Sequence, residues 1–102
     1  MSKKKVLIVE PSVIVAEGLM KILRDHSQFE VLFPLYDLDN LKGRIITGSP
    51  DIMIINPMLV PQSQRQNFNS AVQDCPDIVI IALVYQYVEQ NSLRMYHGII
   101  DI

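Results

Sequence analysis

Two short runs of the chain are apolar without a break, Val6-Leu7-Ile8-Val9 and Ile52-Met53-Ile54-Ile55. Lysines precede the first and Glu10-Pro11-Ser12 follows it; Pro50-Asp51 opens the second and Asn56-Pro57 closes it. Runs of this length with no polar alternation predict strands buried on both faces. Such strands belong in a parallel sheet, where helices cover both sides. Ile78 to Val84 has the same character and predicts a further buried strand. After the first run, Ile14, Val15, Gly18, Leu19, Ile22 and Leu23 recur at helical spacing, with Glu17, Lys21, Arg24 and Asp25 on the other side. This predicts an amphipathic helix over about 12–25, with Pro11 or Ser12 as its start signal.

The remaining segments are less regular. Residues 30–36 predict a more exposed strand, and Leu38, Leu41, Ile45 and Ile46 predict a helix ending before Gly48-Ser49-Pro50. Residues 63–74 predict a polar helix with a narrow stripe of Phe68, Ala71 and Val72; residues 88–97 predict a short helix, and Ile99 begins a fifth strand. Strands alternating with helices predict right-handed crossovers and a three-layer α/β domain. The chain then stops inside its fifth strand, so the last covering helix is expected to be missing and the segment to be an N-terminal piece of a longer protein. An uncovered edge invites pairing with another chain.

The length of 102 residues fits one domain, expected to span 1–102, with no linkers or repeats. No apolar run approaches the 18 or so residues that span a bilayer, and no signal-peptide pattern precedes the first strand, so a soluble, cytoplasmic protein without membrane contact is expected. A net charge of −2 offers no general attraction for nucleic acid, and Lys3-Lys4-Lys5 reads as a solvated start; this segment is not expected to bind DNA. The single cysteine, Cys75, excludes an internal disulfide and a cysteine-based metal cage. It reads as a small turn residue, with neither His26 nor His97 placed by sequence to activate it.

Candidate chemistry concentrates at the carboxyl ends of the strands, where open α/β sheets bind ligands. The turn after the first strand has no glycine, so neither a Walker nor a dinucleotide phosphate cradle is expected. No zinc-protease motif or nucleophile elbow occurs, and the chain is not expected to be an enzyme. If the first and third strands are neighbours, Glu10 and Asn56 converge. Each also has a purely structural explanation: Glu10 favours the N-terminal dipole of the next helix, and Asn56 satisfies a turn before Pro57. Asp51 and Asp77, each after a proline, read as turn residues.

The stretches "KKVLIVEPSVIVAEGLMKIL", "PDIMIINPM" and "CPDIVIIALV" resemble the receiver domain of bacterial two-component response regulators, in particular receivers that precede a LuxR-type helix-turn-helix domain. The similarity covers essentially the whole chain and rests on element order, the Glu17-Gly18-Leu19 step and the Pro-Asp-apolar strand openings. It implies a flavodoxin-like parallel sheet with strand order 2-1-3-4-5. In that family the third strand ends in a phosphoaccepting aspartate, an acidic pair after the first strand helps hold Mg²⁺, a Thr or Ser ends the fourth strand and a Lys ends the fifth.

By that resemblance the phosphoacceptor position falls on Asn56, the acidic pair on Glu10 and Pro11, and the hydroxyl position on Val84; the lysine position lies at or just past Ile102. An amide is uncharged and delocalised and does not form an acyl phosphate. Mg²⁺ is left with Glu10 and the weak candidates Asn56 and Met58, so neither Mg²⁺ nor another cofactor is expected. The proline pattern after Asn56 and the lack of a nearby glycine mark a reshaped loop. The resemblance thus implies a degenerate, phosphorylation-independent receiver, expected to act as a homodimeric regulatory module with a C-terminal DNA-binding domain elsewhere in the protein. A stand-alone adapter and a flavodoxin-like domain binding a small cofactor are the alternatives. Tyr85, Tyr87 and Tyr96 surround the expected fourth helix, where ordinary packing and partner contact are both open.

Overall fold

The structure, a computed structural model, describes residues 3–85 and 99–100. Its elements run β1 (Lys4–Val9), α1 (Val13–Arg24), β2 (Phe29–Val31), α2 (Leu41–Gly48), β3 (Ile52–Ile55), two 3₁₀ turns (Pro57–Leu59 and Gln62–Gln64), α3 (Arg65–Val72), β4 (Val79–Ala82) and β5 (Ile99–Ile100). The sheet is parallel throughout, in the order β2-β1-β3-β4-β5. The α/β three-layer arrangement and strand order are those expected. The helix expected over 88–97 lies outside the described residues.

The register explains why β1 and β3 read as unbroken apolar runs. Val6 to Val9 align one to one with Ile52 to Ile55, and Ile52 to Ile55 align in turn with Val79 to Ala82. Central strands meet a helix layer on each side, so neither face can be polar. On one face Leu7, Val9, Met53, Ile55 and Ile80 pack under Leu41 and Ile45 of α2 and Phe68, Ala71 and Val72 of α3. On the other, Val6 and Ile8 pack under Ala16 and Met20 of α1. The handedness rule accounts for this split: α2 and α3 carry the chain one way across the sheet and lie on one face, while α1 carries it the other way and lies opposite.

Local chemistry sets the element boundaries. Ser12 caps α1, its hydroxyl accepting from the Val15 N–H at 3.3 Å, so of the two start signals Ser12 is the cap and Pro11 lies outside. β2 is shorter than the expected 30–36 because Pro34 has no N–H for the ladder. Leu35 returns to β1 as an isolated bridge to Val9, Phe33 is exposed, and its carbonyl accepts from the Arg44 guanidinium. α2 starts at Leu41 and not Leu38 because the Asp37 carboxylate accepts from the Asp39 N–H at 3.0 Å, a local turn that competes with helix. The helix ends on Ser49 at φ 47°, in the left-handed region. A Cβ on Gly48 would stand 3.0 Å from a Leu32 methyl, a tight contact that a small shift of the Leu32 side chain would relieve. The polar helix expected over 63–74 divides into the 3₁₀ turn and the shorter α3, with the Phe68, Ala71 and Val72 stripe buried.

Asp51 is a turn residue with a job: its carboxylate accepts from the Lys5 N–H at 2.8 Å, tying the start of β3 to β1. Cys75 is a half-buried free thiol in the turn before β4, packed against the α2/α3 core, and its N–H donates to Val72. His26 packs edge-on against Phe29. Among the described residues no helix is long and apolar enough to cross a membrane.

Candidate functional site

β1 and β3 are adjacent and in register, so the residues just past them, Glu10 and Asn56, are brought side by side at the carboxyl edge of the sheet. Each backbone is held there by the sheet: the Asn56 N–H donates to Val9 O at 2.9 Å and the Glu10 N–H to Leu35 O at 2.9 Å. They are the two buried polar side chains of the described residues, Glu10 at 0 % and Asn56 at 5 % exposure. Burying a carboxylate is costly unless its oxygens are satisfied, which makes its partners decisive.

Three donors converge on Glu10. The Asn56 amide nitrogen donates to Oε1 at 2.9 Å, the Ser12 N–H to Oε2 at 2.5 Å, and the Tyr85 hydroxyl to Oε2 at 3.1 Å. The Asn56 amide nitrogen also reaches the Tyr85 oxygen at 3.2 Å. On its other side the Asn56 Oδ1 accepts from the Met58 N–H at 2.9 Å, capping the 3₁₀ turn after β3. The amide orientation follows from these neighbours. Flipped, Asn56 would aim an oxygen at the acceptor-only carboxylate and an NH₂ at the Met58 N–H, losing both bonds.

Both structural explanations for these residues therefore hold at once, and they are parts of one closed network. Glu10 accepts from the first turn approaching α1, and Asn56 organises the turn before Pro57. The weak metal candidates Glu10, Asn56 and Met58 all take part in this network. The Asn56 oxygen is turned away from Glu10 and accepts from the Met58 N–H, while its nitrogen faces the carboxylate. Met58 contributes its N–H to the site while its side chain is exposed. Among the described residues no three His, Cys, Asp or Glu side chains gather in a metal-holding group.

Pro11 is exposed beside the network and supplies no donor. Val84 is 41 % exposed, past the end of β4, and brings no hydroxyl. The hydroxyl comes from the next residue. Tyr85 was legible only as a half-buried aromatic, and its role in the pocket was missed. The signal that could have found it is an aromatic hydroxyl one position beyond an empty hydroxyl position, with a ring long enough to reach back across the strand ends. Tyr85 as a residue is 50 % exposed, but its hydroxyl donates to a buried carboxylate. Desolvation first, then the hydrogen bond to Glu10 and its charge, push the phenol above its ordinary range, and the Asn56 contact pulls partly the other way. Tyr87 and Tyr96 lie outside the described residues, as does the position expected for the lysine.

Chemically, the arrangement is a satisfied acceptor surrounded by neutral donors. It places no carboxylate nucleophile at the end of β3, where Asn56 stands, and spends the remaining carboxylate, Glu10, on internal bonds. The sequence matches no protein-family model and no curated protein.

Proposed function

We propose that this domain is a receiver-like regulatory module that works without phosphorylation, acting in the cytoplasm as part of a bacterial two-component-type transcription regulator whose DNA-binding domain lies elsewhere in the protein. The parallel sheet in the order 2-1-3-4-5 is compatible with that resemblance, and strand order alone supports many functions. One contact carries the proposal: the Asn56 amide donates to Glu10 at 2.9 Å, at the two strand ends where the resembling family keeps its acceptor aspartate and an acidic metal ligand. In such a pocket a divalent cation holds the two acids together. Here the amide does so without charge, holding the strand ends in one fixed state. The domain then serves by its surface, through self-association or partner contact, and neither as an enzyme nor as a holder of Mg²⁺.

The test is incubation with Mg²⁺ and either beryllofluoride or a small phosphodonor, read by intact mass and amide chemical shifts. The expected result is no mass gain and no shift of the Glu10, Asn56 or Tyr85 signals. A covalent phosphoryl group on the domain overturns the proposal.

A further inference from the structure

The polar surface of α3 is of an uncommon kind. From Gln62 to Gln73 every polar residue but Arg65 is a glutamine, an asparagine or a serine. Asparagine and serine are poorer helix formers than lysine or glutamate, so helix propensity does not account for them. What they supply is uncharged hydrogen-bonding groups, with a donor and an acceptor on each amide. Part of this surface borders a cleft of about 370 Å³ between α2 and α3, toward the lower end of the volumes that hold small ligands. Every residue lining it lies among the described residues, and none belongs to the Glu10 network.

Three kinds of group meet there. Leu38, Leu41, Phe68 and Ala71 are the apolar part, and the last three are anchored in the core under the two helices. From α3 and the turn before it come Asn67 and Gln64. The Asn67 amide nitrogen donates to the Gln64 side-chain oxygen at 3.1 Å, which leaves the Gln64 NH₂ and the Asn67 oxygen as a donor and an acceptor for another molecule. From the start of α2 come Asp39 and Lys42, opposite charges three positions apart. Among the described residues neither of these two side chains has a hydrogen-bond or ion-pair partner.

These groups select a ligand by charge. An anion drawn to Lys42 also meets Asp39, and a cation drawn to Asp39 also meets Lys42. A molecule carrying both charges satisfies the two at once. We propose that the cleft binds a small zwitterion, a free α-amino acid with a neutral polar side chain. Its ammonium faces Asp39 and its carboxylate Lys42, its methylenes lie over Leu41 and Phe68, and its polar end meets the Gln64 and Asn67 amides. Because Asp39 and Lys42 are exposed, water competes for both charges and the affinity is modest, on the order of 1 mM. The proposal rests on the cleft and is independent of the receiver reading.

Titrating the isotope-labelled chain with L-glutamine, read by amide chemical shifts, tests it. Saturable shifts are expected at Lys42, Asn67 and Ser70, with a Kd of about 1 mM and no shift at Glu10 or Asn56. N-acetyl-L-glutamine, which lacks the ammonium, and L-glutaminamide, which lacks the carboxylate, are each expected to bind at least about threefold more weakly. Asp39→Asn and Lys42→Gln, both at exposed positions, should weaken L-glutamine binding by the same factor with unchanged far-UV circular dichroism. The absence of saturable shifts up to about 20 mM L-glutamine, equal binding of the blocked analogues, or indifference to both substitutions overturns the proposal.

Discussion

The face of the sheet under α2 and α3 and the face under α1 are built from the same kinds of residue, alternating along the same strands, yet they end in different states. Met53 and Ile80 are 0 % and 2 % exposed, while their strand neighbours Ile54 and Val79 on the opposite face remain partly open. Among the described residues two helices lie across the first face and one across the second. Hydrophobic burial stabilises roughly in proportion to area removed from water, so equal side chains make unequal contributions. Covering is a property of topology, and the strand sequence does not carry it.

Substitutions on the two faces should separate them most sharply. Phe68→Ala, under the doubly covered face, is expected to cost about 3–5 kcal/mol in chemical denaturation, whereas Val79→Ala should change stability by less than about 1 kcal/mol. Equal losses would mean that the α1 face is as well packed as the other. At the end of the sheet, where the two faces meet, Asn56→Asp replaces a donor by a second acceptor 2.9 Å from the Glu10 carboxylate. The expected loss is about 2–4 kcal/mol, with only feeble phosphate acceptance because Pro11 and Val84 still supply neither acid nor hydroxyl. A variant as stable as the parent would show that the amide is not what holds the pair.

The smallest expected effect concerns Tyr85, which ties β4 to that same end. Desolvation and Glu10 push its phenol above the ordinary range, so the neutral form is favoured. That contribution to stability is complete below the unfolded value and is lost as pH rises through the raised one. Glu10→Gln removes the charge that helps raise it and weakens the hydrogen bond, and an ultraviolet difference titration against Tyr85→Phe should show the Tyr85 step moving down toward the ordinary value. A step that stays put would place the hydroxyl outside the pocket.

Much of the molecule was legible beforehand, for reasons that differ by element. β1 and β3 announced themselves because strands between two helix layers have no polar side, β4 because its run is apolar without a break, and α1 because its stripe has a sharp period and a serine cap. β2 and α2 were misplaced by a few residues where single local groups overrode periodicity: the missing N–H of Pro34, and the Asp37 side chain competing for the helix start. In the site, the pairing of Glu10 with Asn56 followed from strand order, but Tyr85 did not. Its reach across β1 and β3 depends on the direction the chain takes after β4, which no spacing encodes.

The chain by itself determined that it would form a parallel α/β sheet with an amide, and not an acid, at the end of β3, because apolar periodicity and residue identity are local properties. Only the tertiary structure decided that this amide turns its nitrogen to Glu10 and its oxygen to Met58, that Tyr85 closes the ring, and that Met53 is fully buried while Val79 is 39 % exposed. Hydrogen-bond direction and surface coverage depend on what neighbouring elements bring to the same point in space. Residues 46 and 75 positions apart meet in this network, and their meeting is set by the order of the strands.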